Sequence, residues 1–148
     1  MNSGAFRQAL LLVSLAFIPA IGHAIYFRDK VSWESPVPAS QMVSVSKALG
    51  WGQDAIWVDA RPDEQFARDH VPGAISLNED RWTELLPNLL SVWSPEKKVV
   101  VYCSNQSCNL ALEAATRLRE ETGLKDKDGQ NCVFVLEGGW EEWLKTKK

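Results

Sequence analysis

The chain has 148 residues, of which 45% are hydrophobic, and it carries a formal net charge of −3. This length and hydrophobic content allow one globular domain with its own core and a short appendage. The small negative charge and the lack of a basic stripe argue against a phosphate-binding surface, so no nucleic acid is predicted as a partner.

Residues 1–27 are predicted to be a signal peptide or a membrane anchor. An apolar run from Ala9 to Ile21 follows Arg7, and Gly22-His23-Ala24 offers small residues at the two positions that a signal peptidase reads. Retention is the competing interpretation, because the apolar stretch through Phe27 approaches the roughly 20 residues that cross a bilayer. Either interpretation predicts, for a bacterial chain, an extracytoplasmic (periplasmic) domain, and an uncleaved segment makes the membrane a partner.

Residues 28–40 are predicted to form an extended linker, since serine and proline recur there without hydrophobic periodicity. The domain is predicted to occupy residues 41–148. The segment from Val43 to Leu49 suits either a short strand or a helical turn. Ala55–Asp59 is predicted to be a buried strand that ends in a carboxylate.

The next segment alternates short helices, turns and strands. Pro62 and the acidic residues after it predict a helix over Asp63–Asp69. The turn His70-Val71-Pro72-Gly73 and the short strand Ala74–Leu77 follow, and a capped helix is predicted over Asn78–Leu86. Three apolar residues beyond this helix are expected to pack beneath the sheet: Leu89, Leu90 and Trp93.

Cys103 is the candidate nucleophile of the chain. It follows Val99–Tyr102, a run of β-branched and aromatic residues typical of a strand buried on both faces. A small polar loop then leads to a helix that begins near Leu110 and ends at Gly123. Backbone N–H groups and the helix dipole at such a position favour thiolate over thiol. The competing interpretation is a small buried structural cysteine.

The chain closes with a predicted strand over Cys132–Leu136, a tight turn and an amphipathic helix over Trp140–Lys145. Strands that alternate with helices predict an α/β sandwich around a mainly parallel sheet, with ligands at the carboxyl ends of the strands. Three of the predicted strands end in chemically useful residues: Asp59, Cys103 and Glu137.

Four sequence blocks resemble the rhodanese-like domain, a sulfurtransferase fold. In chain order they are Val58-Asp59-Ala60-Arg61, Phe66 through His70-Val71-Pro72-Gly73-Ala74-Ile75, Val101-Tyr102-Cys103 and Leu136-Glu137-Gly138-Gly139-Trp140. The resemblance covers roughly Val43 to Trp143. It implies a three-layer α/β sandwich with a mainly parallel five-stranded sheet, and a sulfurtransferase of the thiosulfate type.

The resemblance also implies roles for individual residues. Cys103 is expected to accept sulfur, and the loop that follows is expected to wrap the persulfide through its amides. Arg61 belongs to the family's Asp-x-Arg motif and is included among the substrate-binding residues, although pairing with an acid such as Glu64 or Asp69 is the alternative. His70 is expected to be structural. The loop residues are Ser104, Asn105, Gln106, Ser107 and Cys108, and the structural residues near the site are Asp59, Glu137 and Gly138.

The loop departs from the family pattern at Cys108, where many rhodaneses place arginine, lysine, serine or threonine. Without a cation in the loop, the electrostatic attraction of dianionic thiosulfate is reduced, so efficient turnover of thiosulfate does not follow from the resemblance. The lack of arginine also argues against phosphatase and arsenate reductase chemistry. Two interpretations of Cys108 remain open: a resolving thiol that forms a disulfide with Cys103, and a small filler residue.

The leading hypothesis is transfer of sulfane sulfur from a small donor through a Cys103 persulfide to a thiol or to cyanide. The alternatives are a redox protein that cycles a Cys103/Cys108 dithiol and a non-catalytic, membrane-tethered persulfide-binding module. No organic cofactor is predicted, because nucleotide-binding fingerprints are missing from the sequence. No metal is predicted either, because two cysteines fall short of a four-ligand site and Cys132 is predicted to lie in the core.

Overall fold

The computed structural model describes residues 37–104 and 109–147, together with Gly4, Arg7 and Gln8. The chain divides into two compact units, Met1–Glu34 and Ser35–Lys148. Apart from three positions, the predicted signal peptide or anchor over residues 1–27 lies outside the described residues, as does most of the predicted linker. Among the residues described, no helix has the length and apolar character needed to cross a membrane.

The second unit is built on a five-stranded sheet in which every pairing is parallel. The strands are β1 (Met42–Val43), β2 (Ala55–Asp59), β3 (Ile75–Ser76), β4 (Lys98–Tyr102) and β5 (Val133–Leu136), in the order β1-β5-β4-β2-β3. The all-parallel pairing needs a crossover connection after each strand, which the helices supply. The predicted α/β fold with a five-stranded parallel sheet is therefore confirmed.

Five α-helices connect or follow these strands. They are α1 (Val45–Gly50), α2 (Asp63–Arg68), α3 (Trp82–Val92), α4 (Leu110–Thr122) and α5 (Gly139–Lys145). The hydroxyl of Ser44 caps α1 by accepting from the Lys47 N–H. Gly123, at φ +63°, takes the left-handed conformation that ends α4, as the sequence predicts.

Both faces of the sheet are buried, because successive strand residues point to opposite sides. On one face, Val99 and Val101 of β4 pack in a cluster with Leu118 of α4 and side chains of α3. On the other face, Val100 and Tyr102 pack with side chains of α1 and α5. The result is three layers with β4 at the centre. Val37, from the predicted linker, also packs in the first cluster.

Helix α3 differs most from its prediction. It begins at Trp82, because the buried Asn78 side chain instead forms a turn by accepting from the Arg81 N–H at 3.0 Å. The helix also continues to Val92 through Pro87. Leu89 is fully buried as expected, but Leu90 is 40% exposed and its predicted burial is wrong. Adjacent residues on a helix point about 100° apart, so one of the two faces solvent.

Replacing Leu118 by alanine is expected to lower the free energy of unfolding by about 2 to 5 kcal/mol, because it leaves a cavity between α4 and the sheet. Leu110→Ala, at the exposed start of the same helix, is the matched control and is expected to cost less than about 1 kcal/mol. Urea unfolding followed by circular dichroism measures both. Equal losses in the two variants would contradict the packing described here.

Candidate active site

The carboxyl ends of the central strands bring the predicted site residues to one edge of the sheet. Asp59, the last residue of β2, is in register with Tyr102, the last residue of β4. The next residue, Ala60, continues the pairing by donating its N–H to the Tyr102 carbonyl at 2.9 Å. Cys103 follows directly and is only 2% exposed. Glu137 follows β5 and is exposed to solvent.

The first turn of α5 fixes the main chain of Cys103, the candidate nucleophile. The N–H of Trp140 donates to the Cys103 carbonyl at 2.8 Å, and the N–H of Glu141 donates to the Ser104 carbonyl at 3.2 Å. These N–H groups lack partners inside their own helix, so they are available for this purpose. Gly138 makes the approach feasible: its φ is +70°, and a Cβ there would lie 2.6 Å from the Glu142 Cβ.

A buried ion pair between Asp59 and Arg61 lies at the same edge of the sheet as Cys103. The two residues are 0% and 4% exposed. Arg61 Nε donates to both Asp59 carboxylate oxygens, at 2.9 and 3.1 Å, and Nη2 donates to Oδ2 at 2.6 Å. Nη2 also donates to the main-chain carbonyl of Asp69 at 2.8 Å. Burial lowers the pKa of Arg61, but the hydrogen bond and charge of Asp59 outweigh it and raise the pKa overall.

Aromatic rings enclose the guanidinium group of Arg61. Its central carbon lies 4.5 Å from the centre of the Trp140 ring and 5.6 Å from that of Tyr102. Trp140 in turn stacks on Trp143 at 4.8 Å. The partner of Arg61 is therefore the Asp59 carboxylate, and not the side chain of Glu64 or Asp69 that the sequence suggested as the alternative.

Tyr102 and His70 hold the turn that follows α2. The Val71 N–H donates to the Tyr102 hydroxyl at 3.1 Å, and burial raises the pKa of this tyrosine. A ring nitrogen of His70 lies 2.8 Å from the Phe66 carbonyl, and the ring stacks on that of Phe66 at 4.1 Å. These contacts give both side chains a structural role among the described residues.

A cavity of about 380 Å³ is lined in part by Ser104, the residue that follows Cys103. The described residues that line it are Arg61, Glu64, Gln65, Arg68, Asp69, Ser104, Trp140 and Glu141. The Ser104 hydroxyl donates to Gln65 Oε1 at 3.1 Å across this space. The sequence identified Arg61 and Ser104 among these lining residues. It missed Gln65, Arg68 and Glu141, because no motif indicates which face of a short helix will line a cavity.

Four predicted loop residues lie outside the described ranges: Asn105, Gln106, Ser107 and Cys108. Their roles, including the resolving thiol, stay predictions. Cys132 lies in the core at 1% exposure, and burial raises the pKa of its thiol. Within residues 37–104 and 109–147, no group of three His, Cys, Asp or Glu side chains is placed to hold a metal ion.

Residues 42–146 match the family model of the rhodanese-like domain. The chain belongs to this family. Among its relatives is the tRNA uridine(34) hydroxylase of Hamiltonella defensa, to which it is 30% identical over 97 residues. That match covers 64% of this chain and 25% of the relative, so this rhodanese-like chain spans about a quarter of the hydroxylase.

Two solved structures illustrate the fold of this rhodanese-like chain. A protein from Bacillus halodurans has a TM-score of 0.58 at 23% identity, and the match covers 87% of this chain and 82% of that one. The thiosulfate sulfurtransferase of Pseudomonas aeruginosa has a TM-score of 0.54 at 17% identity, with coverage of 72% and 19%. At these identities the likeness establishes the fold.

Replacing Arg61 by methionine is expected to lower the free energy of unfolding by about 3 to 5 kcal/mol, because the Asp59 carboxylate would stay buried without its cation. Arg68→Met, which changes an exposed arginine of the same cavity, is the control and is expected to cost less than about 0.5 kcal/mol. Urea unfolding of both variants makes the comparison. If Arg61→Met unfolds at the wild-type urea concentration, the ion pair has no structural role.

Proposed function

We propose that this rhodanese-like chain is a sulfurtransferase that carries sulfane sulfur as a persulfide on Cys103. The observation that carries the proposal is the position of Cys103 at the end of the central strand, with its carbonyl fixed by the Trp140 N–H at 2.8 Å. The cavity lined by Ser104 adjoins it. A nucleophile held rigidly beside an open cavity is suited to attack a small sulfur compound.

The proposed reaction has two displacement steps. With thiosulfate as donor, the Cys103 thiolate attacks the outer sulfur, a new S–S bond forms, and the bond to the oxidised sulfur breaks to release sulfite. An acceptor thiolate then attacks the terminal sulfur of the persulfide, and Cys103 leaves as a thiolate. The electrons balance without an external oxidant or reductant.

Stabilisation of the thiolate and persulfide anions is assigned to backbone groups. The sequence from Ser104 to Cys108 contains no lysine or arginine. Helix α4, 13 residues long, begins shortly after Cys103, and its positive end favours an anion in the preceding loop. An anion held away from water is costly unless it accepts hydrogen bonds, so this main-chain support is part of the proposal.

The names of the relatives bear on the choice of donor. The Pseudomonas aeruginosa relative is a thiosulfate sulfurtransferase, which supports thiosulfate as the first donor to test. The Hamiltonella defensa relative is a tRNA uridine(34) hydroxylase, but this chain spans 25% of it, so hydroxylation is not assigned here. The redox alternative depends on Cys108, which is outside the described residues.

The first test is the intact mass of the full chain after reduction, exposure to thiosulfate and removal of excess reagent. The wild type is expected to gain one sulfur atom, and Cys103→Ser is expected to gain none, because the serine hydroxyl does not ionise at neutral pH. Cys132→Ser serves as the cysteine control and is expected to gain the sulfur, since the Cys132 thiol is buried in the core.

Two other results would contradict the proposal. Sulfur on the Cys103→Ser variant would place the persulfide on another cysteine. A loss of two protons that requires both Cys103 and Cys108 would instead support the redox pair.

A further inference from the structure

We infer that the persulfide acceptor of this site is a small thiol that also carries an ammonium group. The inference rests on the proposed function, since it requires a Cys103 persulfide. It comes from the charges that line the cavity next to Cys103. An ammonium group is what the carboxylates of that cavity would bind.

The inference places the acceptor in the cavity that adjoins a chain neighbour of Cys103. Its wall includes Ser104, the residue after the nucleophile, and Trp140, whose N–H donates to the Cys103 carbonyl. At about 380 Å³, the space admits a compound with a handful of heavy atoms beside the persulfide. A thiol in this space therefore has the cavity's side chains as its nearest charged neighbours.

Three carboxylates and two guanidinium groups are among the lining residues, but these charges are not equally available. Arg61 is paired with the buried Asp59, so the net charge of that pair is zero. The remaining groups are exposed to solvent: Arg68, Glu64, Asp69 and Glu141. The described part of the cavity is thus net negative, with three exposed carboxylates and one exposed guanidinium.

This charge pattern disfavours a thiol that carries only a carboxylate and favours one that carries an amine. Arg68 is available to bind a carboxylate when the thiol has one as well, as in an amino acid. Each contact between an exposed charge of the cavity and an opposite charge on the thiol is expected to change the rate of sulfur transfer by about two- to fivefold. The effect is small because solvent screens such a pair. The effect must shrink at high salt, since the Debye length falls from about 10 Å at 0.1 M to about 3 Å at 1 M.

The transfer step balances with any thiol. The acceptor thiolate attacks the outer sulfur of the Cys103 persulfide, a new S–S bond forms on the acceptor, and the Cys103–sulfur bond breaks to give a thiolate. No net oxidation occurs. The inference concerns only which thiol is positioned best, so it is tested by comparing acceptors that differ in charge.

The full chain is loaded with sulfur from inorganic tetrasulfide, which gives trisulfide and the Cys103 persulfide, and loading is verified by intact mass. Loss of the added sulfur is then timed with cysteamine, 2-mercaptoethanol and 3-mercaptopropionate, in the wild type and in the double variant Glu64→Gln, Glu141→Gln. The ratio of wild-type to variant rates is taken for each thiol. Differences in thiol reactivity cancel in that ratio.

The ratio is expected to be about fivefold for cysteamine and near one for 2-mercaptoethanol, and to fall below one for 3-mercaptopropionate. Arg68→Gln removes a positive charge, so it is expected to raise the rate with cysteamine and to lower the rate with 3-mercaptopropionate. Glu96→Gln removes a carboxylate before β4, at the far end of that strand from Cys103, and is expected to leave all three rates unchanged. The cysteamine ratio should approach one at 1 M salt.

The possible failures are distinguishable. A chain that takes up no sulfur overturns the proposed function and this inference together. A chain that is loaded and discharges to all three thiols with the same ratio overturns the inference and leaves sulfur transfer standing. A cysteamine ratio that does not change with salt overturns the electrostatic explanation, because an exposed pair must be screened.

Discussion

The site is organised around the buried ion pair between Asp59 and Arg61. Removing two charges from water is costly, and good geometry with further hydrogen bonds is needed to offset that cost. Here both carboxylate oxygens of Asp59 accept from the guanidinium, which also donates to the Asp69 carbonyl and packs on the Trp140 ring. The pair therefore joins the end of β2, the end of α2 and the start of α5.

This constraint reaches the nucleophile through Trp140. The ring of Trp140 contacts Arg61, and its N–H holds the Cys103 carbonyl at 2.8 Å. The sheet adds a second restraint, because the pairing of Asp59 with Tyr102 sets the level at which Cys103 leaves β4. Elements that are distant in sequence thus fix one short piece of main chain. Because the Asp59 carboxylate neutralises the charge of Arg61, this arginine attracts an anionic substrate less strongly.

The elements that the sequence predicts well are those set by local physics. Runs rich in β-branched and aromatic residues predicted β2 and β4 to within one residue, and the left-handed preference of glycine predicted the end of α4 at Gly123. The errors arose where distant contacts decide. Asn78 forms a turn that delays α3, partly because its side chain donates to Asp63 at 2.6 Å, a residue distant in sequence. The lining of the cavity depends on side-chain packing that no single segment contains. Asp59 and Arg61, in contrast, are only two residues apart, so the sequence contained the partner but not the geometry that selects it over Glu64 or Asp69.

In many anion-binding loops one arginine both stabilises the charge of the anion and helps to select the substrate. The distribution of charge in this chain assigns these two tasks to different groups. The five residues after Cys103 contain no cation, so the proposed function relies on amides and on the dipole of α4 to stabilise the negative charge of a persulfide. Backbone dipoles stabilise an anion without regard to what else the substrate carries. Under the proposal, selection among substrates falls to the side chains that line the cavity, where the exposed carboxylates of Glu64, Asp69 and Glu141 accompany one exposed cation, Arg68. If sulfur transfer is the function, changes in the cavity's side chains would therefore alter the choice of acceptor while the chemistry at Cys103 stays the same.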